Sequence, residues 1–246
     1  MQAYMSKISN FGYTKVTIKE KTKLVQKVFS DVAFNYDLMN DVMSFGTHRL
    51  WKSKFIDIVN PSCSDKIIDV GSGSGDLVLE IQKRYLNAKI DIVDLNKEML
   101  EKGKKRIKKG NVSFYKQNAE SLSFANNSYD KYVISFCLRN ITDIDKSLKE
   151  AFRVLKPGGQ YYCLEFSRPK SFIISNIYSY YKSNLIPAFG KIFSNNQDAY
   201  NYLSESIDMF PSQEDLKKRM IYAGFKSVKF IDLFDGIVSI HTGYKY

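Results

Sequence analysis

The sequence predicts an α/β fold, with a mostly parallel sheet of seven strands and helices on both of its faces. Short apolar runs alternate with amphipathic segments from residue 66 onward, which is typical of parallel strands joined by crossover helices. The first run, residues 66–71, ends in glycine and is followed by apolar residues at helical spacing from Leu77 onward. The other strand candidates are residues 90–94, 112–115, 132–136, 161–166, 228–233 and 237–244.

The remaining segments complete a single domain. Apolar residues at helical spacing predict a helix over residues 143–155, which stops at Lys156-Pro157-Gly158-Gly159 because proline and glycine break helices. A further helix is expected near residues 213–223. Residues 172–210 interrupt the alternation with an aromatic, mostly helical insertion, and the first 60 residues are expected to form helices packed onto the sheet. At 246 residues and 44% hydrophobic content, we expect residues 1–246 to share one core.

Cysteine content and hydropathy limit the class of protein. Cys63, Cys137 and Cys163 are odd in number and widely spaced, so we expect neither a disulfide framework nor a metal site. The sequence has no apolar window of about 18 residues and no secretory signal pattern. These features predict a protein of the reducing cytoplasm.

The net charge of +11 favours anionic partners such as nucleic acid or acidic lipid surfaces. The densest basic cluster, residues 102–109, reads KGKKRIKK. Its apolar neighbours fall on one helical face and leave the lysines on the other. A solvated helix face is therefore favoured over a nucleic-acid patch.

The glycine-rich turn after the first strand is the first chemical signal. Residues 69–75 read DVGSGSG, and glycines at alternate positions let backbone N–H groups approach a ligand at the start of a helix. This indicates a nucleotide-like ligand, although a plain tight turn also explains the glycines. Asp94 ends the next strand, where a carboxylate can accept both hydroxyls of a ribose. Asp94 could instead cap the helix that starts near Asn96.

Residues after two further strands are expected in the same cleft. Asn118, Ala119 and Glu120 follow the third strand candidate, where they could meet an adenine ring, and Ser135 lies at the end of the fourth. Loop and helix-cap roles remain open for each of them.

Together these residues resemble the Rossmann-like class I methyltransferases, and more specifically the UbiE-type ubiquinone/menaquinone biosynthesis methyltransferases. The resemblance extends from about Phe11 to Tyr246. The segments that carry it are 28–29 (VF), 32–33 (VA), 36–41 (YDLMND), 43–46 (MSFG), 48–52 (HRLWK), 134–140 (ISFCLRN), 142–143 (TD), 153–159 (RVLKPGG), 164–167 (LEFS), 202–207 (YLSESI) and 241–245 (HTGYK).

The resemblance implies S-adenosylmethionine as the cofactor and residues 61–246 as its α/β core. Residues 1–60 would then form the cap of the substrate site. Ser74 stands where the family usually has threonine, and its hydroxyl keeps the hydrogen bonding. Cys137 stands where the family usually has glycine, which could narrow the cleft and alter the local fit of the substrate but not cofactor binding. The cofactor-binding positions that it implies are Gly71, Gly73, Ser74, Asp94, Asn118, Ala119 and Ser135.

The reaction that the resemblance implies is carbon methylation of a polyprenylated quinol. No metal is needed. Arg139, just beyond the fourth strand, is expected to stabilise a quinolate oxygen or to orient a water, with His48 as a helper that accepts a proton. A structural ion pair of Arg139 with Asp143 or Glu165 is the alternative, and packing is the alternative for His48.

The partners follow from this reaction. A polyprenyl tail must reside in a membrane, so residues 172–193, with Lys170, Lys182 and Lys191, are expected to rest on an anionic surface at the inner face of the membrane. Core packing of the same aromatics is the alternative. A homodimer is left open.

An RNA methyltransferase is the enzymatic rival, but residues 135–140 lack the Asn/Asp-Pro-Pro-aromatic motif of amino-group methylators. A non-catalytic cofactor-binding partner protein is the second rival.

Overall fold

A computed structural model of the chain describes residues 8–32, 40–41, 44, 46–85, 87–108, 110–181, 184 and 197–246. Its centre is a seven-stranded sheet in the order β5-β4-β3-β6-β7-β9-β8. Neighbouring strands pair in parallel from β5 to β7, and β9 is antiparallel to both β7 and β8. The predicted mostly parallel seven-stranded sheet is thus confirmed. The strands are β3 Lys66–Val70, β4 Lys89–Asp94, β5 Asn111–Lys116, β6 Tyr129–Ser135, β7 Leu155–Phe166, β8 Lys226–Leu233 and β9 Val238–Tyr244.

Helices cover both faces of this sheet. The two apolar clusters of the core lie on opposite sides of the strands, because successive strand side chains point to opposite faces. One cluster includes Ile68 and Ile134, and the other includes Ile67 and Val133. The helices of this part of the chain are α3 Asp76–Arg84, α4 Lys97–Arg106, α5 Ile144–Val154, α6 Phe172–Tyr180, α7 Gln197–Asp208 and α8 Gln213–Tyr222.

The N-terminal segment begins with a hairpin that was not expected. Strands β1 Ile8–Phe11 and β2 Thr14–Thr17 pair in antiparallel fashion around Gly12, and they precede helices α1 Ile18–Val32 and α2 His48–Val59. An expectation of helices alone over the first 60 residues is therefore wrong at residues 8–17. The hairpin turn requires the positive φ of Gly12, +56°, which glycine adopts without steric cost.

The end of α5 also differs from the expectation. The helix does stop before Lys156-Pro157-Gly158-Gly159, but that segment belongs to β7 and not to a separate loop. Leu155 pairs with Tyr129, and the next pair, Lys131 with Gln160, leaves four residues of β7 unmatched. The helix breakers therefore form a bulge, which strands tolerate at such positions.

The N-terminal segment and the 172–210 region pack on each other. Val32 of α1 lies in an apolar cluster with Tyr200 and Leu203 of α7, and the ring of Phe11 stacks on that of Tyr202 with centroids 4.2 Å apart. Within the described part of the chain, no helix has the length and apolar character needed to span a bilayer.

Candidate active site

The glycine turn lies between the end of β3 and the start of α3. Gly71, Gly73 and Gly75 all have positive φ, between +58° and +83°. A Cβ on Gly71 would clash with the Sγ of Cys137 and lie 2.6 Å from its Cβ. Rotation of the Cys137 side chain cannot relieve the second contact, because its Cβ is fixed to the backbone. Only glycine fits at position 71, and the turn therefore packs directly against the segment that follows β6.

Asp94 holds this turn in place from the end of β4. Its carboxylate accepts hydrogen bonds from the backbone N–H of Gly73 and of Asn96, both at 2.8 Å. Burial raises the pKa of Asp94, and these N–H donors oppose the increase. The N-cap of α4 is Asn96, whose side chain accepts from the N–H of Met99. Asp94 is thus not the helix cap, and its carboxylate faces a cavity.

That first cavity opens along the carboxyl ends of β3, β4 and β5, where open parallel sheets bind their ligands. It contains five of the predicted positions: Gly71, Gly73, Asp94, Asn118 and Ala119. The cavity is lined by Thr22, Val25, Gln26, Phe29, Val70, Gly71, Gly73, Asp94, Leu95, Asn96, Met99, Gln117, Asn118, Ala119, Glu120, Phe136, Cys137, Asn140, Ile141 and Thr142.

Glu120 has a structural role at the edge of the first cavity. It is 8% exposed, and its carboxylate accepts hydrogen bonds from the backbone N–H groups of Thr142 and Asp143. The Oδ1 of Asn118 accepts from the N–H of Glu120. The 118–120 segment is therefore tied to the loop after β6, and this fixes the wall at which the adenine ring was expected.

Ser74 and Ser135 lie elsewhere than expected. Ser74 is 1% exposed, and its hydroxyl accepts a hydrogen bond of 2.6 Å from Arg106, behind the turn. Ser135 lines a second, adjacent cavity. The side chains of Ser74 and Ser135 therefore do not line the cavity that Asp94 and Asn118 line.

The second cavity lies beneath α1, α2 and α7. It contains both predicted catalytic residues, His48 and Arg139. It is lined by Val28, Phe29, Val32, Asn40, Ser44, His48, Lys52, Gly71, Ser72, Asp76, Leu77, Ser135, Phe136, Arg139, Asn140, Phe166, Ala199, Tyr202 and Leu203.

Arg139 makes the buried ion pair that the sequence left open, and its partner is Glu165. The two side chains are 4% and 1% exposed, and Nη1 of Arg139 lies 2.7 Å from Oε1 of Glu165. The same nitrogen donates to the carbonyl of Phe136 at 2.6 Å. Burial raises the pKa of Glu165, and the Arg139 charge opposes the increase. The Nε–H of Arg139 is buried and has no hydrogen-bond partner among the described residues.

His48 is oriented by Asp41. Its Nε2 lies 2.8 Å from a carboxylate oxygen of Asp41. Because that carboxylate only accepts, Nε2 carries the proton and Nδ1 is left as the basic nitrogen. Nδ1 is buried and meets no hydrogen-bond partner in the described ranges. Burial lowers the pKa of His48, and Asp41 opposes the decrease, so the ring is neutral near pH 7.

A charged network behind the glycine turn was missed by the sequence analysis. Asp76, the first residue of α3, pairs with Lys52 of α2 at 2.7 Å and with Arg106 at 2.8 Å. Burial opposes ionisation of Asp76, but these two cations lower the pKa of its carboxyl to about 2. An acid at a helix start is a recognisable signal, whereas nothing in the sequence pairs Lys52 with it.

The two cavities share one wall. It consists of Phe29, Gly71, Phe136 and Asn140, which line both cavities. The two cavities are therefore neighbours, and molecules bound in them would lie against the same four residues.

Comparison with known proteins identifies the family of this chain. The model of the ubiE/COQ5 methyltransferase family matches residues 15–245. The chain belongs to this family. It is 47% identical over 245 residues to the ubiquinone/menaquinone biosynthesis C-methyltransferase UbiE of Rickettsia bellii strain OSU 85-389, covering 96% of this chain and 98% of that protein. It is 46% identical to UbiE of Rickettsia prowazekii at the same coverage. The ubiE/COQ5 chain is therefore an enzyme, a methyltransferase.

Solved structures confirm the fold of this ubiE/COQ5 family member. A possible histamine N-methyltransferase of Thermotoga maritima superposes with a TM-score of 0.66 at 22% identity, covering 90% of this chain and all of that one. A phosphoethanolamine N-methyltransferase 2 of Haemonchus contortus, bound to S-adenosylhomocysteine, gives 0.65 at 15% identity, covering 94% of this chain and 60% of that one. These likenesses establish the class I methyltransferase fold.

Proposed function

We propose that this methyltransferase transfers a methyl group from S-adenosylmethionine to a ring carbon of a polyprenylated quinol. The substrates would be a 2-methoxy-6-polyprenyl-1,4-benzoquinol and, where the organism makes it, a demethylmenaquinol. The observation that carries the proposal is the pair of adjoining cavities, one with Asp94 on its wall and the other with Arg139 and His48. The names of the Rickettsia relatives supply the substrate class.

The residues of the first cavity suit S-adenosylmethionine. The carboxylate of Asp94 has room for further acceptance, since each of its oxygens carries more than one lone pair and receives one backbone N–H. Gly73 carries no side chain, so a ligand can approach the backbone of the turn closely there. At Gly71 the space that a Cβ would need is taken by Cys137. Asp94 would hold the ribose hydroxyls, and Asn118 and Ala119 the adenine.

The residues of the second cavity suit a quinol that loses a proton. When bound, S-adenosylmethionine supplies an electrophilic methyl group on a positively charged sulfur. The quinol carbon ortho to a hydroxyl gains the methyl group and loses its hydrogen as a proton. The guanidinium of Arg139 would stabilise the developing oxygen charge, and Nδ1 of His48 would accept the proton directly or through water. Alignment of the two reactants would contribute as well, roughly 7 kcal/mol or more in well-oriented cases.

The exposed surface of α6 supports contact with a membrane at its inner face. Phe172, Ile173, Ile177 and Tyr180 are each more than 60% exposed, and such an apolar stripe suits the interface of a bilayer that holds a polyprenyl tail. Lys170, next to the stripe, is 64% exposed and pairs with Asp232. Lys182 and Lys191 lie outside the described residues. Core packing was the alternative for this segment, but these four side chains are exposed and do not lie in the core.

Vesicle sedimentation tests the membrane proposal. Replacing Phe172 and Ile177 by serine should reduce binding to anionic liposomes, because it removes exposed apolar area that the fold does not use. Replacing Lys170, Lys182 and Lys191 by glutamine should reduce it as well. The exposed Tyr222 of α8, replaced by serine, is the matched control. Unchanged binding of both sets of variants would reject the proposal.

A competition for label tests the reaction. The protein is incubated with methyl-labelled S-adenosylmethionine together with a demethylated quinol extract and RNA, and the two fractions are separated. The proposal requires the label in the quinol fraction. Label in RNA would support the rival enzyme, and binding of S-adenosylmethionine without any transfer would support the non-catalytic rival.

A further inference from the structure

The backbone of Phe136 is the strained point of the site. Phe136 follows β6 and has a φ of +50°, a region that bulky side chains rarely adopt. Glycine or asparagine would occupy this region at lower cost. A strained residue next to a ligand cavity points to a function of its side chain.

The surroundings of Phe136 hold it in that conformation. Its N–H donates to the carbonyl of Leu164 at 2.8 Å, which extends the β6–β7 pairing by one residue. Its carbonyl accepts from Arg139 at 2.6 Å and from the amide of Asn140 at 3.5 Å. The ring packs at 4.8 Å from the ring of Phe166 and at 6.1 Å from that of Trp51. Hydrogen bonds thus hold the backbone of Phe136, and the neighbouring rings hold its side chain.

The position of this ring is the second observation. Phe136 belongs to the wall shared by both cavities, and within the described ranges the aromatic residues of that wall are Phe29 and Phe136. A methyl group that passes from one cavity to the other has to pass this wall. If the proposed function holds, the positively charged sulfur lies at this wall too, because it carries that methyl group.

We propose that Phe136 recognises the charged methyl donor at the junction of the two cavities, its ring face stabilising the sulfonium. Cations are attracted to the negative face of an aromatic ring, and a desolvated site strengthens this attraction. The demethylated product, S-adenosylhomocysteine, carries a neutral sulfur, so the negative face of the ring does not attract it in this way. Phe136 thus favours the donor over the spent product. This inference rests on the proposed function.

Calorimetric titration of both ligands tests the inference without any turnover. Phe136→Leu keeps an apolar side chain of similar bulk but removes the π face. It should weaken S-adenosylmethionine binding about three- to tenfold and change S-adenosylhomocysteine binding by less than about twofold. Phe136→Gly, which relieves the backbone strain, should show the same change in the ratio of affinities even if Phe136→Leu folds poorly.

Phe152→Leu is the matched control. Phe152 is also half-buried and packs edge-on against another phenylalanine, Phe225, but it lines neither cavity. Its ratio of affinities should equal that of the wild type. An unchanged ratio in both Phe136 variants would overturn the inference and leave the proposed function intact. A wild-type protein that binds neither ligand would overturn the proposed function, and this inference with it.

Discussion

Asp94→Asn tests the link between the glycine turn and the cofactor. In the glycine turn, both carboxylate oxygens of Asp94 accept a backbone N–H at 2.8 Å. An amide keeps one acceptor oxygen and turns its NH₂ group toward the other N–H, so one charge-assisted bond is lost. Hydrogen bonds to charged groups contribute about 1.5–3 kcal/mol. The variant should therefore unfold more easily by about this amount.

The same substitution should also weaken ligand binding, by more than the loss of folding stability alone explains. Ribose hydroxyls that donate to a carboxylate lose a comparable 1.5–3 kcal/mol when the acceptor becomes neutral, which is about a 10- to 100-fold loss of affinity for S-adenosylmethionine. Titration calorimetry measures the affinity, and thermal unfolding of the ligand-free protein measures the stability.

Asp91→Asn is the matched control for this prediction. Asp91 lies on the same strand, accepts a hydrogen bond of 2.7 Å from the hydroxyl of Tyr129 and lines neither cavity. It should lower stability and leave the affinity unchanged. If Asp94→Asn binds S-adenosylmethionine as the wild type does, Asp94 does not hold the ribose and the reasoning is wrong.

Three further predictions concern the turn and the buried charges. Gly71→Ala should cost at least 1–2 kcal/mol of stability. Adding Cys137→Gly should restore part of this loss, because it removes the clash. If the effects of the two substitutions on thermal stability simply add in the double variant, the packing of Gly71 against Cys137 is contradicted. Burial raises the pKa of Asp69 from 3.8 to about 7, so between pH 5 and 8 the folded state binds the proton more strongly than the unfolded state and stability falls as pH rises. Asp69→Asn should remove this fall in the free energy of unfolding, about 2–3 kcal/mol, as measured by urea unfolding at several pH values. If the free energy of unfolding of the variant changes with pH as that of the wild type does, Asp69 does not cause the fall. Arg139→Ala should lose about 3–5 kcal/mol because Glu165 is left buried and unpaired. Arg139→Lys keeps the charge and should instead lower turnover about a hundredfold with little loss of stability. Normal turnover in Arg139→Lys would make the residue purely structural.

The main elements of the fold could be predicted because their signals are local. Apolar runs located all seven strands of the sheet to within a few residues, except at β7, whose first residues were assigned to a helix end. Proline and glycine at 157–159 correctly ended α5, but they give no sign that a bulge continues into a strand. The hairpin at residues 8–17 was missed because its strands are four residues long and half-exposed. Such strands have too few apolar residues to show a period.

The site was predicted best where it depends on strand ends. Asp94 ends β4 and Asn118 follows the neighbouring parallel strand β5, so topology alone brings them to one edge. The direction of a side chain after a tight turn is set by φ and ψ, which the sequence does not reveal. Ser74 therefore turned away toward Arg106, and Ser135 faced the second cavity. Tertiary pairing likewise decided between Asp143 and Glu165 as the partner of Arg139, and the structure assigned Glu165.

Analysis of the product tests whether the protein methylates a ring carbon of the quinol. The protein is incubated with S-adenosylmethionine labelled with carbon-13 at the methyl group and a purified demethylated polyprenyl quinol, and the product is examined by NMR. We expect a labelled methyl group bonded to a ring carbon, with the hydrogen of that carbon lost. A labelled methyl group on a quinol oxygen, or no labelled quinol at all from a folded protein that binds both ligands, would contradict it.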